Sequence, residues 1–554
     1  MSTAALLKKG LSLLLKRQTN ILSAALVIMM TVVLSQVLGL VRQRLLVGEF
    51  GASNILGVYL ASSRLPDLLF QVIIAGGLSS AFIPVFSDFL VAQKKEEGFK
   101  FASSLLILLS LSFIGIASVF FIFSQFFASL IAPGFSHSEI VLMGELMRII
   151  FFGEVLFMLG CFFAALLQSF DHFLIPGIAA ATYNLGIILG ILFLSPFFGI
   201  FSAAYGVLLG GVFFILVQVP LLWRVGYRFS FVIDIGSSAI KKIFSLMWPR
   251  TISLGIFQLG SLLTVTLISF LADPGRKYVI FDYAQTLAFA PVGLFGQTMA
   301  QAAFPVLSRE RNKPDEFRQT FLTSFYQLFY LVMPFSVLFI VLRIPVIRLI
   351  YGAEQFDWSA TVLTSRLLAL FTLGLFAQAL TYLVGRAFYA MYDTKTPLLI
   401  GGLSTIVMLV GSFFAIVTFH FDIQSLALIY SLASMLQLFL LVYLLQKKTG
   451  RFLDLDFFLS VGKILIATLC MGVALYVPIK LLDKLVFDTT HTINLIILTG
   501  ISSILGMAMY LFLTWLLRVK EAGMFLILFK KLGNWQSILS TSDELLSTPS
   551  KQQS

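Results

Sequence analysis

Apolar stretches of membrane-spanning length follow one another along nearly the whole chain, separated by short polar gaps. They cover 21–41, 56–84, 101–132, 139–169, 173–195, 199–223, 241–271, 278–307, 318–342, 360–390, 396–419, 423–446, 458–479 and 491–517. A helix crosses the hydrocarbon core with about 20 mainly apolar residues, whereas barrel strands are about 10 residues long and alternate in polarity. The pattern therefore predicts an all-α polytopic membrane protein of about 14 transmembrane helices and excludes a barrel.

Landmarks recur along this pattern. Pro84-Val85-Phe86-Ser87 closes the second stretch and Pro305-Val306-Leu307-Ser308 the eighth, at an offset of 305 − 84 = 221. Pro176 follows Asp171 as Pro397 follows Asp393, again 397 − 176 = 221, and Gln218 and Gln437 differ by 219. An offset covering six spans predicts two pseudo-symmetric six-helix lobes of like orientation, the parallel class of transporter repeat. The expected organisation is an interfacial or cytoplasmic segment over 1–20, an N-lobe over 21–223, a C-lobe over 241–446, two further helices over 458–517 and a disordered tail over 532–554.

Composition agrees. Of 554 residues 59% are hydrophobic and 12% charged, against about 25% charged in soluble domains. A net charge of +12 would suggest nucleic acid in a soluble protein; here it sorts by loop. With the N-terminus inside, the cytoplasmic segments hold 25 Lys/Arg. The opposite segments hold eight: Arg42, Arg44, Arg276, Lys277, Arg343, Arg348, Lys480 and Lys484. Positive charge stays inside, so both termini are expected in the cytoplasm, with membrane lipids and not nucleic acid as partners. Cys161 and Cys470 sit in separate spans and the four histidines at span ends, so no disulfide, metal or cofactor is expected. Zinc-protease, Walker A and nucleophile-elbow motifs are absent, so no enzyme is predicted.

Charges inside the spans are few and costly, about 2.5–3.5 kcal/mol each at mid-bilayer. Span 1 carries Ser35, Gln36, Arg42 and Arg44; span 2 carries Arg64, Asp67 and Gln71. Arg64 and Asp67, three apart, are expected to pair. Pro66 and the Gly76-Gly77 pair mark candidate hinges. Span 4 holds Glu145 and Arg148, expected as a local pair, and Glu154, with no partner in sequence, a candidate coupling site. Arg250 is the basic candidate of the second half, and Asp282 and Gln285 open span 8.

Several of these blocks resemble the MurJ/MviN family, the lipid II flippases of the MOP exporter superfamily. Ser35-Gln36-Val37-Leu38-Gly39-Leu40-Val41-Arg42 is similar to the family's S-R-x-L-G-x-x-R. Arg64-Leu65-Pro66-Asp67-Leu68-Leu69, then Ala75-Gly76-Gly77 and Ala81-Phe82-Ile83-Pro84, resembles its second span. Phe388-Tyr389-Ala390-Met391-Tyr392-Asp393-Thr394-Lys395-Thr396-Pro397 looks like its F-Y-A-x-x-D-T-[KR]-T-P. The resemblance implies a two-lobed fold, cavity arginines that hold a diphosphate, and a lipid-tail groove along spans 13 and 14. The chain departs at family cavity charges: Gln36 and Phe70-Gln71 stand where the family has arginines, Gln285-Thr286 where it has D-R, and Ala75 where it has an acid.

The expected function is a flippase that moves lipid II, an undecaprenyl-pyrophosphate-linked peptidoglycan precursor, between leaflets of the bacterial cytoplasmic membrane by alternating access. Candidate substrate contacts are Arg42, Arg64, Gln36, Gln71, Arg250, Ser35 and Gln285, with cell-wall synthesis machinery as the candidate protein partner. The alternatives are a lipid-linked oligosaccharide flippase or drug/cation antiporter of the same fold, a membrane glycosyl- or phosphotransferase, and a scaffold.

Overall fold

The computed structural model describes residues 21–72, 78–353, 355–485 and 491–523; the expected 1–20 and 532–554 segments and Gly76-Gly77 lie outside them. Every described element is helical: α1 (Ile21–Phe50), α2 (Asn54–Phe70), α3 (Leu78–Val91), α4 (Lys95–Ile122), α5 (Ser124–Ile131), α6 (His137–Gln168), α7 (Leu174–Phe198), α8 (Phe201–Leu216), α9 (Val219–Val225) and α10 (Ser238–Ser269). There follow α11 (Pro274–Pro291), α12 (Thr298–Glu310), α13 (Pro314–Val341), α14 (Arg343–Tyr351), α15 (Trp358–Leu373), α16 (Leu375–Ala390), α17 (Lys395–Phe413), α18 (Gln424–Thr449), α19 (Leu455–Leu485) and α20 (Thr492–Leu516). Helix is the solution lipid demands, since every backbone N–H finds its acceptor within the same segment. Eleven spans are long and apolar enough to cross a membrane among the described residues, or twelve counting α15 and α16 as one span bent by 41°. The other two expected spans, 56–84 and 241–271, include residues or side chains outside the described set.

The landmarks noted in the sequence have backbone counterparts. A π-helical turn begins at Gln71 in span 2 and another occupies Val292–Gln297 in span 8, at 292 − 71 = 221. Left-handed residues recur in the same way: Asp171 (φ 63°) and Tyr392 (φ 60°) at 221, Gly199 (φ 51°) and His420 (φ 53°) at 221, Gly51 (φ 65°) and Asp273 (φ 49°) at 222. A residue with φ > 0 is uncommon outside glycine, so their recurrence reflects a repeated backbone plan rather than repeated side chains.

The chain forms two compact units. Among the described residues, one comprises 21–284, 350–367 and 405–429; the other comprises 285–349, 368–404 and 430–523. In the first, α1 and α8 flank α7, and α6 packs on α2, α4 and α8. Helices α7 and α8 meet through glycine: a Cβ on Gly190 would collide with the Gly206 backbone, and one on Gly186 with that of Gly210. A Phe cluster fills one end of the unit, with Phe82 stacked on Phe86 (5.2 Å) and Phe101 (6.1 Å) and tilted against Phe162 (5.2 Å). Ser136 caps α6 with Glu139 reaching back to its amide at 2.8 Å, the S-x-x-E box. Large side chains such as Phe197, 80% exposed, and Phe193, 67% exposed, point outward, as lipid-facing residues do.

In the second unit α19 packs on α13 and α20, with the Tyr510 hydroxyl donating to the Tyr330 carbonyl at 2.8 Å. The D-T-K-T-P block opens α17. Asp393 accepts the Thr396 amide at 3.0 Å and its hydroxyl at 2.6 Å, and pairs with Lys448 of α18. Burial pushes the Asp393 carboxyl up, but the Lys448 ammonium and the two Thr396 donors outweigh it and bring it down to about 2.

Gly190→Val should lower the thermal midpoint in detergent, by an overpacking cost of about 1–3 kcal/mol, whereas Gly115→Val, with nothing within 4 Å of the new Cβ, should leave it unchanged. The Asp393 pair contributes fully above the ordinary value of 3.8 and is lost as pH falls towards about 2. Because Lys448 is 45% exposed, the pair contributes about 1 kcal/mol or less. Asp393→Asn should flatten that part of the midpoint-versus-pH curve, and an unchanged acid limb would rule the pair out as its source.

Candidate functional site

The polar residues of spans 1, 2 and 4 and the first part of span 8, up to Asp282, fall in the first unit. Arg64 of α2 does not rely on Asp67. Its guanidinium pairs with Asp282 of α11 and hydrogen-bonds the Tyr278 hydroxyl. Its partner thus lies 218 residues away instead of three. Asp67 stays within the electrostatic reach of Arg64 and Arg42, and the Ser63 hydroxyl near it donates to the Leu60 carbonyl at 3.0 Å. Tyr278 and Asp282 are four apart, hence on one face of α11; that spacing is the signal available in the sequence for this partnership.

Arg42 of α1 is half-buried, and its Nε is enclosed without a hydrogen-bond partner among the described residues. Asp67 and the phenols of Tyr59, Tyr183 and Tyr283 lie within its electrostatic reach. Tyr283 donates to the Gln43 carbonyl at 3.3 Å and Tyr351 to the Gln43 side chain at 3.1 Å, with the two rings 4.8 Å apart. These tyrosines were not singled out in the sequence, because a phenol in an apolar run reads as ordinary core. Glu154 of α6 is 3% exposed, one carboxylate oxygen lacks a partner among the described residues, and Asp67 is its charged neighbour.

The remaining candidates have varied places. Ser35 is used in packing: its hydroxyl donates to the Ala180 carbonyl at 3.4 Å, and Asn184 donates to it at 3.2 Å. Gln36 is exposed on α1. Gln71 accepts a hydrogen bond from Gln258 of α10. Pro66 lies within α2, five residues before the π-helical turn. Gln285 is half-buried and falls in the second unit. Arg250 lies on α10 with its side chain outside the described set. The expected Glu145–Arg148 pair is replaced: Arg148 donates to the Phe121 carbonyl at 3.2 Å and lies over the Phe121 ring. Phe121 lies in the last turn of α4, where carbonyls lack helical partners, while Glu145 is exposed to the outside.

Beyond Arg64 the end of this unit is knitted shut. A Cβ on Gly57 would collide with the Gly275 carbonyl. Asn54 accepts the Arg276 amide at 2.8 Å, Arg276 pairs with Asp357 at 2.8 Å and Lys277 with Asp422 at 2.6 Å. Burial pushes the Asp357 carboxyl up, but donation from Arg276, Ser359 and the Ala360 amide holds it below the usual carboxylate range. A cleft of about 450 Å³ lined by Asn54, Asp273, Arg276, Gln355 and Asp357 opens at the rim. No group of three or more His, Cys, Asp or Glu able to hold a metal occurs among the described residues. Among the described residues the arrangement has no nucleophile–base pair; what it offers is guanidinium and hydroxyl donors set in apolar walls, suited to holding an anion.

Comparison with known proteins places this arrangement. Residues 46–520 match the sequence family described as "Lipid II flippase MurJ". A probable lipid II flippase MurJ of Buchnera aphidicola subsp. Acyrthosiphon pisum is 27% identical over 91% of this chain and 99% of its own length. One from Thermotoga maritima is 28% identical over 66% and 73% respectively. Among solved structures, "Lipid II flippase MurJ, inward closed conformation" superposes with a TM-score of 0.72 at 22% identity, covering 88% of this chain and 98% of that one. An inward-facing MATE transporter of the MOP superfamily reaches 0.63 at 15% identity, covering 75% and 94%. These two likenesses are of fold.

Removing one partner of a buried ion pair strands the other, at about 3–5 kcal/mol when burial is complete. Arg64 and Asp282 are 27% and 11% exposed, so Asp282→Ala should lower the thermal midpoint clearly, though by less than that limit. Asp88→Ala, which breaks the exposed 3.4 Å pair with Lys242, should shift it little. Equal shifts for the two variants would show that the Arg64 pair is not a structural tie.

Proposed function

The chain belongs to the lipid II flippase MurJ family, and we propose that it moves lipid II across the bacterial cytoplasmic membrane, with Arg42 as the primary contact for the diphosphate. It is a transporter and not an enzyme. The observation that carries the assignment is the enclosed Nε of Arg42, a permanently charged donor without a partner among the described residues. A guanidinium offers two parallel donors to a phosphate, and desolvation strengthens each bond.

In this reading Arg64 joins Arg42 when it leaves Asp282, Gln36, Gln71 and Gln285 supply neutral hydrogen bonds to the sugar and peptide, and Arg250 completes the anion site from the second half. Ser35 orients span 1. Two like-oriented six-helix lobes, 21–223 and 241–446, alternate about this site, with Pro66, Gly76 and Gly77 absorbing the bending of span 2. Spans 13 and 14, over 458–517, guide the polyprenyl tail. The 25 to 8 distribution of Lys/Arg supports cytoplasmic termini. It assigns the Gly51–Arg276 end, tied shut by Asn54 and Asp357, to the outer leaflet, so that the substrate enters from inside. Peptidoglycan glycosyltransferases acting on the outer leaflet are the natural downstream partners.

Depletion of the protein should cause the lipid-linked precursor to accumulate on the cytoplasmic leaflet. In reconstituted vesicles Arg42→Ala should slow its translocation by roughly 10- to 100-fold, the scale of the 1.5–3 kcal/mol contributed by a hydrogen bond to a charged group, with Arg42→Lys intermediate. Unchanged translocation in both Arg42→Ala and Arg250→Ala would sink the site assignment.

A further inference from the structure

We infer that the connection between spans 6 and 7 is a strap docked in the lipid surface. Phe229, Phe231, Ile233 and Ile235 are immersed in the cytoplasmic leaflet, while Arg224, Arg228 and Lys241 meet its anionic phospholipid headgroups. This site is separate from Arg42 and independent of the cargo.

Residues 226–237 join α9 to α10 without forming a helix or strand. The Val225 carbonyl, at the end of α9, accepts the Lys95 ammonium at 2.7 Å, and Gly226 adopts the left-handed conformation (φ 85°) that releases the chain from the helix. The strap is then pinned to α4. The Tyr227 ring meets Phe99 edge-on at 5.5 Å, and its hydroxyl shares a hydrogen bond with that of Ser103 at 3.1 Å. The Ser230 amide donates to the Ser103 hydroxyl at 3.2 Å and the Asp234 amide to the Ser104 hydroxyl at 2.9 Å. Both serines are buried.

Those contacts set the depth. Ser103 lies eight residues into α4, about 12 Å at 1.5 Å per residue. The charges of α4, Lys95, Glu96, Glu97 and Lys100, all precede it, and from Phe101 to Ile122 the helix carries none. The strap therefore crosses α4 on the apolar side of the last charge, where headgroups give way to acyl chains. Irregular backbone is tolerated at that depth where protein satisfies its polar groups. Two hydroxyls in an otherwise apolar stretch do so here.

The outward side is apolar. Phe231 is 90% exposed, Ile235 65%, Ile233 56% and Phe229 45%. The Phe229 and Phe231 rings meet at 4.8 Å, nearly perpendicular, and form one ridge. An exposed ridge of this kind marks a lipid or protein contact. A partner strand is disfavoured because the Val232 amide folds back onto the Ser230 carbonyl at 2.9 Å, which interrupts the edge such a strand would pair with. The flanks favour lipid. Trp223 is exposed, and residues 223–242 hold Arg224, Arg228, Lys241 and Lys242 against one acid, Asp234. Lys242 pairs with Asp88 at 3.4 Å, while Arg224, Arg228 and Lys241 are exposed. Aromatic and basic side chains bordering an apolar ridge suit a bilayer interface rich in anionic lipid.

The test uses the full chain carrying Cys161→Ala and Cys470→Ala, in vesicles of phosphatidylcholine and phosphatidylglycerol. A spin label on Phe231→Cys should be relaxed several-fold more by oxygen, which concentrates in lipid, than by a water-soluble nickel chelate. A label on Glu96→Cys should show the reverse order. Nickel access at 231 equal to that at 96 overturns the immersion and leaves the ridge to a protein partner. Adding Ser103→Ala and Ser104→Ala should raise nickel access at 231 several-fold, and an unchanged value overturns the pinning. For the headgroups, a fluorophore on Phe231→Cys should be quenched about two- to five-fold more by nitroxide-labelled phosphatidylglycerol than by phosphatidylcholine labelled alike, a scale set by a few basic residues at an anionic surface. The preference should vanish when Arg224→Gln, Arg228→Gln and Lys241→Gln are combined. Equal quenching by the two lipids before those substitutions overturns the anionic site, as does a preference that survives them.

Discussion

Charge buried in hydrocarbon has to be matched, and the match decides the arrangement of the first unit. Arg64 lies in a span where an isolated guanidinium is costly. It is tolerated because Asp282 and Tyr278 meet it from α11. That pairing fixes α2 against α11, and with it the Gly57–Gly275 approach and the Asn54–Arg276 bond next to it. Arg42, one helix away, has no such fixed acceptor for its Nε among the described residues. One cation is thus tied into the structure, while the Nε of the other stays without a partner among the described residues.

Close packing supplies the rest without charge. Lipid tails are as apolar as leucine, so helices gain little by hiding apolar surface from them and associate through contact and small residues. The glycine faces of α7 and α8 and the Phe cluster around Phe82 are two answers to the same demand. One lets backbones touch; the other fills space with flat rings.

Much of this was legible in the chain. Eleven or twelve of the expected span positions followed from run length alone, and the 221-residue offset seen in prolines reappears in π-helical turns and left-handed residues. The Asp393 cap was legible as a motif, though its Lys448 partner was not. What escaped was long-range pairing. The i,i+3 rule put Arg64 with Asp67 and Glu145 with Arg148, yet the first arginine reached across to Asp282 and the second took a backbone carbonyl. Local spacing predicts who can meet on one helix, but inside a bundle a group on another helix competes, and sequence carries no distance to it. The tyrosines around Arg42 escaped for the same reason: their role depends on what faces them.

The separation of Arg64 from Asp282 has a consequence for how the chain is made. Span 2 leaves the ribosome and enters the bilayer 218 residues before the carboxylate that will neutralise it has been synthesised. Throughout that interval the nascent chain has Asp67, one turn away, as its nearest counter-charge. Charge balance at span 2 therefore falls to residues already inserted until span 8 brings Asp282 to Arg64.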